Sequence, residues 1–113
     1  MYPRFTSEQI KENGHVFFVF LLEVENAVVA FFGEEPKLGT FSAAIPLRGE
    51  GPAASSVLLG DRNVIITRIL AEQLAAAFGK IVLVSTYLKK ISEEEGGPIL
   101  LKLAQKILEK GTK

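Results

Sequence analysis

Apolar residues fall into two different rhythms along this chain. From Val64 to Phe78 they recur at helical spacing: Ile65 or Ile66, Ile69 and Leu70, Leu74, then Ala77 and Phe78. A period near 3.6 residues turns one stripe of a helix toward a core. Gly79 stops the pattern, as a left-handed C-terminal cap does. On either side lie β-branched or leucine runs too short for helices, VLL at 57–59 before Gly60 and IVLV at 81–84 after Lys80. Residues 55–87 therefore predict strand, helix, strand, with Asp61 placed to cap the helix.

The preceding segment has the other rhythm. HVFFVFLLEV, residues 15–24, predicts a long strand, and both of its faces are apolar: Val16, Phe18, Phe20 and Leu22 alternate with Phe17, Val19 and Leu21. A strand with one face in water shows polar residues at every second position, so something must cover both faces here. The helices available suffice for one face, which makes Phe17, Phe18, Val19 and Phe20 the candidate dimer contacts, through whichever side faces out. Glu25-Asn26 predicts a turn and residues 27–32 a returning strand. GEEPKLG at 33–39 leads to a third strand at 40–45, ended by Pro46, and 48–54 is a Gly/Pro/Ala loop.

Sequential hairpins of this kind predict an antiparallel meander. In the first fourteen residues, Thr6 or Ser7 could cap a short helix running to Lys11 and ending at Asn13-Gly14. After the central unit, 89–97 is a polar connection carrying Glu93, Glu94 and Glu95, and Pro98 is placed to open a final helix. That helix has an apolar stripe of Leu100, Leu103, Ala104, Ile107 and Leu108, with Lys102, Gln105, Lys106 and Glu109 opposite; Gly111 closes it. The expected fold is α+β, one domain over residues 1–113, with a central and a C-terminal helix packed on the meander.

Composition sharpens this picture. Hydrophobic residues make up 48% of the 113, while a chain of that size buries roughly two-thirds of its unfolded surface. That surplus predicts a subunit interface. Glu23 and Glu25 interrupt the longest apolar run well short of a membrane span, and no basic and apolar leader opens the chain. A cytoplasmic protein without a membrane partner is the expectation. Thirteen basic and thirteen acidic residues balance, so the basic stripe that nucleic acid requires is missing. Lys and Glu dominate the charges and amides are few, a lean toward thermophile composition.

The absence of cysteine excludes disulfides, thiolate catalysis and sulfur-ligated metals. His15 is the single histidine, at a strand entrance, and reads as a packed or solvated residue; one imidazole without further ligands at suitable spacing makes no metal site. Asp61 is the single aspartate and reads as the helix cap. Gly60 is not part of a phosphate-binding G-x-x-x-x-G-K-[ST] loop, and Ser55, Ser56 and Ser85 have no positioned base. The glutamates at 93–95 read as a solvated connection. No cofactor and no enzymatic activity are expected.

The stretch SVLLGD at 56–61, the helix segment LAEQL at 70–74 and the strand IVLVSTYL at 81–88 resemble the C-terminal half of proteasome assembly chaperones three and four. The hairpin carries the resemblance too, in 27–33 and the turn KLGT at 37–40, so it covers roughly residues 15–108 with small gaps. The resemblance implies an antiparallel sheet with helices on it, dimerisation, and binding to α-type proteasome subunits that promotes α-ring assembly without catalysis. An archaeal-type member would be a homodimer, one chain supplying both halves. Partner contact is expected from loops that folding leaves free: Glu34, Glu35 and Lys37 in one, Arg48 and Glu50 in the other. Failing these, the exposed side of the final helix at Lys102 and Lys106 is next. The competing reading is a longin- or roadblock-like dimeric scaffold for a small GTPase, of similar size and mixed architecture but without the SxxLLG-D junction.

Overall fold

The computed structural model describes residues 1–47 and 53–111. In chain order the elements are β1 (Arg4–Glu12), β2 (His15–Glu23), β3 (Ala27–Gly33), β4 (Thr40–Ile45), β5 (Ala54–Leu59), α1 (Val64–Phe78), β6 (Ile81–Tyr87) and α2 (Glu93–Gly111). The six strands form one sheet, and both helices pack on one of its faces, with α1 against β4, β5 and β6 and α2 against β1, β2 and α1. The expected class, a sheet with a central and a C-terminal helix on it, is the one observed.

The strand order is β1-β2-β3-β6-β4-β5. β1, β2 and β3 form the meander, and four of the five pairings are antiparallel. The fifth is parallel: β6 enters between β3 and β4 and runs alongside β3, Ala27 opposite Ile81 through Gly33 opposite Tyr87. Helix α1 makes this possible. At 1.5 Å per residue its 15 residues carry the chain roughly 22 Å back along the sheet. A tight turn after β5 could only have added an antiparallel neighbour.

The N-terminal segment is a strand, not the short helix expected. Asn13 and Gly14 both have positive φ, 53° and 80°, the backbone of a two-residue hairpin turn whose twist matches the strands it joins. Glu12 pairs with His15, and the ladder runs to Arg4 opposite Glu23. The Thr6, Glu8, Ile10 and Glu12 side of β1 is partly buried on the helix side of the sheet, while its intervening residues are exposed.

The core lies between sheet and helices. α1 buries Ile66, Thr67, Leu70, Ala71, Leu74 and Ala75, so the Ile65-or-Ile66 ambiguity resolves to Ile66; Ile65, Ile69 and Ala77 lie outside. α2 contributes Leu100, Leu103, Ala104 and Ile107, meeting Phe17, Val19, Leu21 and Phe32 from the sheet. Gly79 caps α1 as expected, at φ 67° with its N–H donating to Ala75 O at 2.9 Å.

Both helix starts differ from expectation. Asp61 does not cap α1; the N-cap is Asn63, in left-handed conformation and without a side-chain cap bond. The orphan amide of Ile66 instead donates to Glu93 Oε2 at 2.7 Å, a carboxylate contributed by α2. α2 begins at Glu93, five residues before Pro98, because Ser92 caps it: Ser92 Oγ accepts from Glu95 N–H at 3.3 Å, and Gly96 N–H donates to Ser92 O at 2.7 Å. Ser92-x-x-Glu95 has the Ser and Glu spacing of a capping box, followed by acid in the first turn. Pro98 thus sits inside the helix near its start, where the bond it removes is the one to Glu94 carbonyl.

Candidate functional site

Strand register shows what the sheet presents on each side. On the helix side one row runs Thr6, Leu21, Ala30, Val84, Ser42 and Val57 across all six strands. The neighbouring row on the other side runs Phe5, Leu22, Val29, Leu83, Ala43 and Ser56, and the next Ser7, Phe20, Phe31, Ser85, Phe41 and Leu59. Among the described residues no helix lies over these outer rows. Phe5 is 76% exposed and Phe20 48%, and Phe5, Phe20, Leu22, Val29 and Phe31 line a shallow groove of about 380 Å³. Ser7, Ser85 and Ser56 interrupt these rows, but the apolar cluster over β1, β2 and β3 is well beyond the isolated exposed apolar residues usual on a surface.

Of the four candidate dimer residues, the structure divides two from two. Phe18 and Phe20 face outward, their rings 5.0 Å apart between centroids. Phe17 and Val19 are buried under the helices, at 1% and 0% exposure, and are unavailable to a partner. Alternation along a strand obliges this split, and the sequence alone could not say which pair went in, since both are apolar.

The 33–39 loop crosses the C-terminal end of β6. A Cβ at Gly33 would collide with Tyr87 carbonyl oxygen, and one at Gly39 with Thr86 carbonyl oxygen, so glycine at both ends lets the crossing lie flat on the strand. Glu34 is consumed inside the molecule: its carboxylate accepts the N–H groups of Lys89, Lys90 and Ile91 at 2.9–3.1 Å. It is therefore a clamp for the connection between β6 and α2, not a free contact residue. Glu35 and Lys37 are exposed and pair with one another at 3.4 Å, and Lys37 Nζ lies 5.5 Å from the Tyr87 ring centre. Arg48 and Glu50 lie outside the described residues. Lys102 pairs with Glu12 at 2.9 Å, while Lys106 and Lys110 reach Glu8 at 3.5 and 2.6 Å, so these lysines tie α2 to β1. The Lys110 hydrogen bond, opposed by partial burial and helped by Lys106, holds the Glu8 carboxyl below its usual value.

Another ion pair joins the end of β2 to the residue before β6. Lys80 Nζ, 2.6 Å from Glu23 Oε2, also donates to Val24 O and Tyr2 Oη at 3.0 Å each. Burial alone would lower its pKa, but these partners outweigh it and raise the pKa above the usual value.

A feature absent from the expectations lies between the helices. Ile65 and Ile69, one turn apart on α1, face Pro98 and Leu101 on α2 across a groove of about 360 Å³, with Ile66 and Gly97 at its base and Glu93 and Glu94 at its mouth. The signal was present in the sequence as paired isoleucines and leucines at 65–66 and 69–70, wider than one buried stripe needs.

His15, half-buried at the start of β2, tilts toward Phe17 with 6.5 Å between ring centres. Ser55 Oγ donates to Glu72 and accepts from Arg68 Nε at 3.0 Å, tying β5 to α1. Among the described residues no three His, Cys, Asp or Glu side chains gather to hold a metal, and no helix is long and apolar enough to cross a membrane. One buried side-chain oxygen among them is without a partner, Thr86 Oγ1 on the helix side of the sheet.

No family model matches this chain, and no curated protein sequence does. Among solved structures it is similar to the crystal structure of a novel chaperone complex for yeast 20S proteasome assembly, at a TM-score of 0.72 and 16% identity. The match covers 96% of this chain and 94% of that one. Coverage so nearly complete in both directions shows that the two share a fold from end to end, the α/β fold that the sequence resemblance implied.

Proposed function

We propose that this protein is a non-catalytic proteasome assembly chaperone, a homodimer that binds α-type proteasome subunits and promotes assembly of their ring. The observation that carries this reading is the outer face of the sheet: largely apolar, with no described helix of its own chain over it, on a fold shared with a proteasome assembly chaperone complex. Six strands at 4.8 Å spacing and about six residues of length give a face of roughly 600 Å², close to the roughly 800 Å² per partner of a stable interface. A second copy, stacked face to face through Phe18, Phe20 and their neighbours, supplies the missing layer. Of the candidate loop charges among the described residues, Glu35 and Lys37 are the ones available to lend specificity at the rim of the partner contact.

Coexpression with an α-type subunit followed by native mass spectrometry tests the reading. The expected species is two copies of this chain with bound α subunit. Recovery of a free monomer, or of a dimer that ignores the α subunit, would overturn it. Capture of a small GTPase instead would support the scaffold alternative.

A further inference from the structure

We infer that the groove between α1 and α2 is the surface that grips the α-type subunit, by taking an aliphatic segment that carries a lysine or arginine at one end. This rests on the assembly-chaperone reading and names the contact surface within it. Three observations point to it.

The first is exposure. Ile65 is 69% exposed and Ile69 37%, although the helix already has a complete inward stripe in Ile66, Leu70 and Leu74. Facing them, Pro98 and Leu101 present a second apolar wall one turn long. The two walls, with buried Gly97 between them, form a shallow open groove along which a row of aliphatic side chains from an apolar segment can lie.

Charge comes second. Glu94 is exposed at the mouth of the slot and makes no ion pair among the described residues. Glu93 beside it is held by the Ile66 amide, while Lys102, Lys106 and Lys110 of the same helix are turned to Glu12 and Glu8 on β1. No cation of α2 answers the carboxylate, so an incoming lysine or arginine meets an anion that has no ion pair among the described residues, at the edge of an apolar groove.

Position is third. Both helices lie on the face of the sheet opposite the outer rows, so a dimer stacked through that outer face leaves both slots pointing away from its interface. Dimerisation and partner binding can then be broken separately. The slot also adjoins the 89–92 connection held by Glu34, which leads directly into Glu93 and Glu94 and fixes the start of α2.

Binding of purified wild type, Ile69→Glu, Ile65→Glu and Glu94→Lys to an α-type subunit is the test, with dimer mass and melting temperature measured for each. Either isoleucine variant should weaken binding about tenfold or more, as loss of a central anchor does, with mass and melting unchanged. Glu94→Lys should weaken it several-fold, and high salt should abolish the difference from wild type. Wild-type affinity in both isoleucine variants would overturn the slot and leave the assembly-chaperone reading standing. A changed oligomeric mass in them would overturn it too, by showing that the slot holds another copy of this chain. A wild type that does not bind the α subunit overturns that reading, and this inference with it.

Discussion

Both faces of the sheet are rich in apolar residues, and buried polar groups occur on both. Thr40, Ser42, Thr86 and, at 7% exposure, Glu23 lie under the helices, and Ser85 is buried on the other face. The uncovered face carries five of the eight phenylalanines, Phe5, Phe18, Phe20, Phe31 and Phe41. Two of them are satisfied by neighbours from the same chain, Ser42 Oγ donating to Ser56 O at 2.9 Å and Thr40 donating to Arg62 O, while Thr86 Oγ1 is not. A surface meant for another molecule has no such guarantee, and aromatic carbon asks least of its partner. Apolar content alone therefore does not distinguish the inside of this molecule from its outer sheet face; cover by its own helices does.

The sharpest way to break the comparison is a charge on adjacent residues of β2. Phe17→Glu places a carboxylate in a site with 1% exposure, at a cost that should remove most of the roughly 5–15 kcal/mol holding a domain together. Phe18→Glu, one residue on, should leave a folded chain that sediments at half the mass. Circular dichroism with sedimentation separates the two outcomes, and equal loss of fold in both would show that the outer face is core in its own right.

Truncation on α1 gives a smaller contrast. Leu74→Ala should lower stability by about 2–5 kcal/mol, as removal of a fully buried leucine does, whereas Ile69→Ala on the opposite flank should stay within roughly 0.5 kcal/mol. Denaturant midpoints would measure the difference, and a comparable loss at Ile69 would place that side chain in the core.

Capping comes next. Glu93→Ala removes the carboxylate that α2 lends to the Ile66 amide and should cost about 1 kcal/mol, while Asp61→Ala should cost less than half as much. The reverse order in thermal melts would restore Asp61 as the cap.

The smallest effect is on pH dependence. Because Lys110 and Lys106 keep the folded-state pKa of Glu8 below its ordinary 4.5, this cluster stabilises the fold above the unfolded value and loses its contribution as pH falls through the folded one. Lys80 has the opposite sign: its raised pKa favours the fold below the ordinary 10.5 and ceases to do so as pH climbs through the folded value. Glu8→Gln should flatten the acid limb of a stability profile and Lys80→Met the alkaline limb; an unaltered limb in either variant would remove that group from the account.

What was legible in the sequence follows from distance along the chain. α1 was readable at both ends, Val64 to Phe78 with Gly79 beyond, because periodicity and cap are local. β4 was equally plain between Gly39 and Pro46. β1 was misread because its inward Glu8 and Glu12 break the apolar alternation of a strand, and the lysines that answer Glu12 and Glu8 lie about 90 residues away or more on α2. The true partner of the α1 amide, Glu93, is 27 residues from Ile66, so the nearer Asp61 was the natural choice. At the candidate site, the existence of a second apolar face was readable from β2 alone, but the assignment of Phe18 and Phe20 to it required the helices. Glu34 looked free because backbone amides, its partners here, leave no trace in side-chain composition.

The insertion of β6 between β3 and β4 also sets the order of events during synthesis and folding. Residues 4–33 can close into the β1-β2-β3 meander as soon as they emerge, and β4, β5 and α1 can gather as a second unit. Among the described residues the two units are not strand partners of one another: the edge of each, β3 and β4, pairs only with residues 81–87 between them. The chain must therefore wait with two half-sheets until its last strand arrives as a wedge, a non-local closure of the slow kind. During that interval two apolar edges stand open, and a protein proposed to guard the assembly of others is itself most exposed to misassembly just before β6 is in place.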